Sequence, residues 1–438
     1  MKQQFTRRGF LGATAAAPVV VQAAEEKPAI LGGKPVRTGR FLSWPISDRK
    51  EEEAVAEVAR SRKWFRGSGK QVTGFEEAWA KITGAKYCLA TSSGTAALFT
   101  SLNALGIGPG DEVLVPPFTF VATINVVLLQ YALPVFLDTD PETCQMDANK
   151  IEAAITPRTT AIIPVHYGGN PADLDAVLAI AKKRNLHVIE DACQAHLAGW
   201  RGRNVGNWGE TGCFSFQESK NLNCGDGGAI ITNDEALMSR CYSFHNQGRK
   251  WKGGGEEFSY ASAGCNLRLT EFQAAVLLSQ MTRLEEQSRT RERNAEYLDS
   301  LLREIPGVKP QRSYPGCTRH NHHTYVFRYL KEHFAGMPKP MLLKALNAEG
   351  IPGRAGYSPL NTAPFIKKVL EGRAYRSLFS KERLAQWNER NQCPGNEQLC
   401  SQSVVFSHQC LLGPRTDMDQ IAAGVRKVQA HAAEIAKA

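Results

Sequence analysis

Seven short apolar runs recur between residues 87 and 232, and their rhythm constrains the fold more than any other feature. They are Tyr87–Thr91, Glu112–Val115, Pro134–Leu137, Ala161–Val165, His187–Glu190, Cys213–Phe216 and Ala229–Thr232. Each is four or five residues long, and helical patterns such as Ala172–Arg184 separate them. Strands that read as unbroken apolar runs are buried on both faces, and helices between them supply the cover. The alternation predicts an α/β fold with a mainly parallel seven-stranded sheet sandwiched by helices. Glu51 to Lys63 predicts a preceding helix with Ala54, Val55 and Val58 on one side. Thr270 to Leu302 predicts one long helix or a broken pair. Beyond it the pattern changes. Tyr325–Tyr329 is strand-like, Pro340–Glu349 helix-like, and Met418–His431 a closing helix. That predicts a smaller C-terminal α+β unit, with a large domain over 25–275 and the small one over 276–438. Residues 371–400 are polar and give no clear pattern.

The 438 residues are 42% hydrophobic and 22% charged, which excludes a disordered chain, a collagen-like repeat and a small disulfide scaffold. Lys and Arg number 53 against 43 Asp and Glu, without a basic run that could track a phosphate backbone, so no nucleic-acid partner is expected. The eleven cysteines are scattered and form no CxxC pair. They predict buried free thiols, no metal site, and folding in a reducing compartment. The N-terminus points elsewhere. Thr6-Arg7-Arg8-Gly9-Phe10-Leu11 is a twin-arginine pattern, followed by the apolar run Phe10 to Val21 and a small-residue cleavage site at Val21-Gln22-Ala23. Residues 1–24 are therefore expected to be a signal peptide for the twin-arginine route, which carries folded passengers. The chain would fold in the cytoplasm and then move to a periplasmic or extracellular location. The apolar run is too short for a stable membrane span, and no other segment reaches that length.

Four pieces near strand ends or helix starts carry the chemistry, because ligands gather at the carboxyl ends of strands in such sheets. Thr91-Ser92-Ser93-Gly94-Thr95-Ala96 is a small-residue turn into a helix, where free N–H groups with Ser and Thr hydroxyls can cradle a phosphate. Asp191 follows the run His187–Glu190 and can hold a proton on a heterocyclic nitrogen. Lys220 lies beyond Cys213–Phe216 beside Gly225, Gly227 and Gly228; a partly desolvated lysine there becomes a nucleophile for carbonyls. Pro116-Pro117-Phe118-Thr119-Phe120 places an aromatic ring at a strand end, to cover a flat cofactor or to fill core. Singly, each piece has an ordinary structural explanation: a helix cap, a surface lysine, a core phenylalanine. Jointly they meet the needs of pyridoxal 5′-phosphate.

These motifs, with Gly108-Pro109-Gly110-Asp111-Glu112-Val113, Pro164-Val165-His166, Glu190-Asp191-Ala192, Phe214-Ser215-Phe216 and Gly225-Asp226-Gly227-Gly228, stand in an order and spacing that resembles the DegT/StrS-type family of sugar and cyclitol aminotransferases. That family lies within the fold-type-I pyridoxal-phosphate transferases, and the resemblance runs from about Leu31 to the C-terminus. It implies that Lys220 carries the imine link and shuttles protons, that Asp191 pairs with the pyridine nitrogen, and that Gln194 lies near the phenolic oxygen. Phe120 takes the stacking position. Ser93, Gly94, Thr95 and Ser215 take the phosphate. Gly264-Cys265-Asn266-Leu267-Arg268 matches a segment whose Asn reaches the cofactor phosphate of the other subunit, so a homodimer with shared active sites is implied. Substrate contacts are expected at Tyr357, Asn361 and Arg249, the last either binding a carboxylate or lying in a solvated loop.

Gln217 replaces the His common after Phe-Ser-Phe, and Pro359-Leu360-Asn361 replaces Pro-Leu-His. Gln217, with Leu31-Gly32-Gly33-Lys34-Pro35, is similar to the branch that aminates keto-cyclitols or makes aromatic amines, and Asn361 departs from the pattern that goes with nucleotide-sugar specificity. The expected partners are a glutamate or glutamine amino donor and a keto-sugar or keto-cyclitol acceptor. A pyridoxal-phosphate lyase or dehydratase, or an exported non-catalytic ligand-binding protein, are the rival readings. His320-Asn321-His322-His323 is expected to be a loop near the substrate entrance rather than a zinc site.

Overall fold

The computed structural model describes residues 26–252 and 259–438, so the expected leader over 1–24 lies outside the described residues. Helix α1 (Arg49–Ser61) opens with a capping box in which Asp48 and Glu51 each take the other's backbone N–H. Seven strands then build the central sheet: β1 (Tyr87–Thr91), β2 (Glu112–Val115), β3 (Leu133–Phe136), β4 (Thr159–Ile162), β5 (His187–Asp191), β6 (Thr211–Ser215) and β7 (Gly228–Thr232). Their order across the sheet is β1-β7-β6-β5-β4-β2-β3. The pairs from β3 to β6 are parallel, as the long helical crossovers between them require. β7 runs antiparallel to both β1 and β6. It can do so because a loop, not a helix, joins it to β6, and that loop carries Lys220.

Helices α2 (Gly94–Ala104), α3 (Ala122–Leu129) and α4 (Leu174–Arg184) contribute to the cover of the sheet, and strand side chains such as Val113, Val115, Ala161, Ile189 and Cys213 are wholly buried. The single helix α5 (Glu271–Leu302) settles the choice between one helix and two. Thr270 caps it together with Gln273, and its 32 residues run unbroken. Ala274, Leu277 and Leu284 belong to the core beside the large sheet, whereas Ala295, Leu298 and Leu302 belong to a separate core. That second core lies on an antiparallel sheet of β8 (Val308–Pro310), β9 (Thr324–Tyr329), β10 (Arg354–Ala355) and β11 (Ser403–Ser407), in the order β8-β9-β11-β10. Helix α6 (Lys339–Ala348) covers it.

Residues past 276 do not all stay with this second core. Helices α7 (Pro364–Leu370), α8 (Arg373–Leu378) and α9 (Lys381–Arg390) return to the large sheet, where Ile366, Leu370, Tyr375, Phe379 and Trp387 join its core. Tyr375 donates to the carbonyls of Leu128 (3.1 Å) and Ala132 (2.9 Å), and Trp387 donates to Pro134 O at 2.7 Å. Arg383 meets the buried Glu112 at 2.5 Å. The boundary drawn at 275/276 therefore separates chain segments but not cores.

The last long helix, α10 (Arg415–Ala430), ties down the N-terminal segment. Lys427, fully buried on it, donates to Lys34 O at 2.7 Å and pairs with the equally buried Glu349 at 3.2 Å. Glu349 also accepts from Ala29 N (2.7 Å) and Val36 N (2.9 Å). Among the described residues, no helix is long and apolar enough to cross a membrane.

Candidate active site

The turns that leave β1, β2, β5 and β6 line one cavity of about 760 Å³, and the small sheet closes it from the other side. Of the residues expected at a site, Ser93, Gly94, Thr95, Phe120, Asp191, Gln194, Ser215, Lys220 and Tyr357 all line it. The topology does this directly, because the parallel strands end at the same edge of the sheet.

Asp191 is the last residue of β5, and only 5% of its surface is exposed. Its Oδ2 accepts the Thr123 hydroxyl at 2.8 Å, and its Oδ1 accepts Cys193 N at 3.2 Å. Thr123 in turn lies 2.9 Å from the Thr119 hydroxyl, one turn earlier on the way into α3. Thr119 and Thr123 were missed as functional residues by sequence reasoning. The available signal was their i, i+4 spacing after the end of β2. Next to Asp191, Glu190 points to the opposite face, as strand alternation demands. It accepts the amides of Gly206 (2.7 Å), Trp208 (2.6 Å) and Gly209 (2.8 Å) and lies 3.0 Å from His166 Nε2. His166 Nδ1 accepts Ala172 N at 3.1 Å, so Nε2 carries the proton toward Glu190. This buried pair braces the strand and takes no part in the cavity.

Lys220 sits on the β6–β7 loop, held by Lys220 N donating to Gln217 O at 2.8 Å and Glu218 N to Gly225 O at 2.7 Å. Gly225 turns the loop with φ +89°, a conformation that only glycine adopts without strain. Burial pushes the Lys220 amine below its ordinary pKa, opposed by the neighbouring Cys193 and Asp191. Desolvation makes the unprotonated, nucleophilic form easier to reach. The same burial raises the Cys193 thiol, helped by Asp191, so this thiol stays protonated.

Ser93 caps α2, accepting Ala96 N at 3.1 Å. Behind this turn there is no room for a side chain at Gly94: a Cβ there would lie 2.7 Å from Cys193 Sγ and 2.8 Å from Ser215 Cβ. The bare backbone lets the helix start meet the Ser215 turn and leaves its N–H groups toward the cavity edge. Phe118 and Phe120 take different parts. Phe118 is core, packed edge-on against Tyr167 and Tyr357, with ring centroids 4.7 and 5.7 Å away. Phe120 lines the cavity with 55% of its surface exposed, so its ring is open to cover a ligand there. Gln194 spans the wall, accepting Gly168 N at 2.8 Å and donating to Tyr357 Oη at 3.2 Å. Burial pushes the Tyr357 phenol up to about 12. The pocket thus has a helix start for an anion, an exposed ring for a planar face, a carboxylate and an amine. Those are the means to hold a flat phosphorylated aldehyde.

Beneath Lys220 lies a layer of buried histidines. His196 Nε2 is 2.8 Å from Ser215 O, His408 Nε2 is 3.0 Å from Ser219 O, and His323 Nδ1 is 3.1 Å from Asn221 Oδ1. Burial lowers all three, His196 to about 3. Arg291, fully buried on α5 with its guanidinium 5.2 Å from the centre of the Trp44 ring, adds to this, and burial pulls its own pKa to about 9. Of the histidine tract, His323 and the adjacent Thr324 reach the cavity, whereas His320 and His322 stack on each other at 3.7 Å and line a separate cleft along α5. Among the described residues, no group of three His, Cys, Asp or Glu side chains is arranged to hold a metal ion.

Three expected residues fall outside the cavity. Asn361 is buried in the large core. Its Nδ2 donates to Asn391 O at 3.2 Å and its Oδ1 accepts Asn396 Nδ2 at 3.0 Å, so both ends of the amide are engaged within the protein. Arg249 pairs through its backbone with Tyr260 and lies beside Arg268, outside this chain's own cavity lining. Asn266 is exposed, on a segment that runs against the end of β1, where Ser92 N donates to Leu267 O at 2.7 Å. It lies outside this chain's own cavity.

The model of the DegT/DnrJ/EryC1/StrS aminotransferase family matches residues 45–386. The chain is 38% identical over 420 residues to the L-glutamine:2-deoxy-scyllo-inosose aminotransferase of Streptoalloteichus tenebrarius, covering 93% of this chain and 98% of the relative. It is 36% identical to the L-glutamine:scyllo-inosose aminotransferase of Streptomyces griseus, covering 93% and 99%. Among solved structures it is similar to 3-amino-5-hydroxybenzoic acid synthase, with a TM-score of 0.79 and 30% identity over 91% of this chain and 100% of that one. NtdA from Bacillus subtilis, solved with bound cofactor PMP, matches with a TM-score of 0.73 and 26% identity over 90% of this chain and 86% of that one.

Proposed function

This chain belongs to the DegT/DnrJ/EryC1/StrS aminotransferase family, and from that premise we propose that it binds pyridoxal 5′-phosphate and moves an amino group from glutamine or glutamate to the keto group of a cyclitol or sugar. The observation that carries this reading is the convergence of Lys220, Asp191 and the Ser93–Thr95 turn on one cavity. Lys220 would hold the aldehyde carbon, Asp191 the ring nitrogen, the Ser93–Thr95 turn with Ser215 the phosphate, and Phe120 one face of the ring. Bound there, the cofactor supplies an electron sink for the carbon that bears the amine.

The chain's own residues do the rest. Thr123 and the Cys193 amide fix both oxygens of Asp191, so its carboxylate meets a heterocyclic nitrogen in one orientation. Lys220 Nζ, with its proton loosened by burial, removes the proton from the amine-bearing carbon of the donor and returns one on the opposite half of the cycle. Tyr167, Tyr357, Val165 and Val405 wall the cavity. Gln194 holds the Tyr357 phenol in the wall. Gln217, on the same rim, is braced through Ser219, whose amide donates to Gln217 Oε1 at 2.9 Å.

Relatives named for scyllo-inosose and 2-deoxy-scyllo-inosose support a keto-cyclitol acceptor with L-glutamine as donor. Purified protein incubated with amine-labelled L-glutamine and scyllo-inosose should yield a labelled amino-cyclitol by mass spectrometry. Absence of transfer to any keto-cyclitol or keto-sugar, with protein that takes up no pyridoxal phosphate, sinks the reading. The exposed Asn266 supports assembly as a homodimer in which each copy completes the other's phosphate site; a monomer by light scattering would contradict this. The Arg7-Arg8 pattern supports export of the folded protein. Replacement of both arginines by lysine should hold it in the cytoplasm, and unchanged fractionation would refute export.

A further inference from the structure

The cavity must admit two substrates of opposite character in turn. An amino-acid donor carries a carboxylate on the same carbon as its reacting amine, whereas a keto-cyclitol is neutral. Three acidic residues line the cavity, Asp191, Glu218 and Asp226. The cationic lining residues are Lys220, whose amine is engaged in the chemistry, and Arg354. The buried histidines next to Lys220 are kept neutral.

Arg354 is on β10, paired with Val405 of β11, so the small sheet presents it across the cavity from the strand ends of the large one. The residue is exposed to the cavity. Its Nη2 donates to the Ser407 hydroxyl at 2.9 Å, and no ion pair involves it among the described residues. Several arginines elsewhere in the molecule are placed differently. Arg37, Arg66, Arg283, Arg319 and Arg383 each meet a carboxylate. A guanidinium is costly to leave without a counter-charge as a site closes on a ligand, and its planar fork suits a carboxylate better than any neutral hydroxyl does.

We propose that Arg354 binds the carboxylate next to the reacting amine of the amino donor, and so separates donor from acceptor within one cavity. The inference rests on the aminotransferase reading above. Ser407 holds the guanidinium in place when the neutral acceptor occupies the site. A nucleotide-sugar phosphate offers similar anionic oxygens; the structure favours the donor carboxylate, because every turnover brings one into the cavity whatever the acceptor.

The test uses the cofactor-loaded protein with Arg354→Gln and Arg354→Lys. The Michaelis constant for L-glutamine should rise at least about tenfold in Arg354→Gln, and Arg354→Lys should recover part of the loss. The ratio of donor to acceptor Michaelis constants should rise with it. A second measurement needs no turnover: quenching of tryptophan fluorescence, with Trp44 in the cavity wall, by L-glutamine and by L-glutaminamide, which lacks the carboxylate. Wild type should bind glutamine about tenfold or more tightly than the amide, and Arg354→Gln should bind the two alike. Equal binding of the two by wild type overturns the proposal, as does an unchanged glutamine constant in Arg354→Gln or a loss confined to a nucleotide-sugar acceptor. Tight, Arg354-dependent glutamine binding without any amino transfer would uphold the carboxylate site while sinking the transamination reading. Turnover with an unchanged glutamine constant would do the reverse.

Discussion

Two buried lysines show how one side chain can be put to opposite uses. Lys427, on the closing helix, has a carboxylate and a backbone carbonyl within hydrogen-bond distance, and Glu349 spends its remaining capacity on two amides of the N-terminal segment. Both charged side chains there find partners, and the result is a clasp. Lys220 sits among Cys193, Asp191 and a layer of histidines, and no hydrogen bond or ion pair ties its ammonium among the described residues. Burial without a partner makes an amine reactive; burial with full pairing makes it inert.

The sharpest way to break the comparison is to remove each ammonium. Lys220→Ala should cut half-transamination with glutamine by at least about 10⁴-fold, while thermal stability holds or rises, because a desolvated charge has gone. Stopped-flow absorbance and calorimetry on the same sample check both halves. Lys427→Met should do the opposite. It strands Glu349 without its cation and should cost about 3–5 kcal/mol in urea unfolding, with kcat per folded molecule unchanged. A loss of activity at constant stability would show that the clasp reaches the site.

A finer probe is Thr123→Val, which keeps the shape but removes the hydroxyl that donates to Asp191. It leaves a buried carboxylate oxygen short of a donor, at a cost of about 1–3 kcal/mol. Cofactor retention in equilibrium dialysis should weaken by about tenfold or more, and the pH midpoint of the cofactor's absorbance should move. No change in either would make Thr123 mere packing.

Acid should act on the histidine layer near Lys220. His196 is held to about 3, and His323 and His408 are pushed well down, all chiefly by burial, below the ordinary 6.5 of an unfolded chain. Below pH 6.5 the unfolded chain therefore binds protons that the native one refuses. Stability is full above that value and falls as pH drops toward 3. Each such histidine adds a slope of at most about 1.4 kcal/mol per pH unit. Urea midpoints at pH 7, 6 and 5 should decline in wild type and decline less in His196→Gln. A flat series would place charged histidines in the native state.

Much of this was legible in the sequence, for a specific reason. β1 and β2 fall on Tyr87–Thr91 and Glu112–Val115 as read, because short apolar runs between turns have few other folds open to them. β4 starts earlier than its apolar run, at Thr159 and Thr160, whose hydroxyls hide a buried strand from a reading by hydropathy. Asp191 and Lys220 stood out because they follow strands, and strand ends share an edge. Thr123 did not, since nothing local says that a hydroxyl meets a carboxylate 68 residues further on. Arg354 was hidden by the two-residue length of β10. The stretch 371–400 resisted because its helices are short and place only a few apolar residues, such as Tyr375 and Phe379, against a distant core.

The long helix α5 has a mechanical consequence. At about 1.5 Å per residue its 32 residues form a beam of about 48 Å, with one end set in each core. The small sheet cannot slide freely over the cavity mouth; it can only swing with that beam or bend it. Arg354 and Ser407 therefore approach Lys220 along one arc. A pair of glycines near Glu286, in the middle of the span, would loosen the arc and misalign the two walls while leaving every residue of the cavity in place.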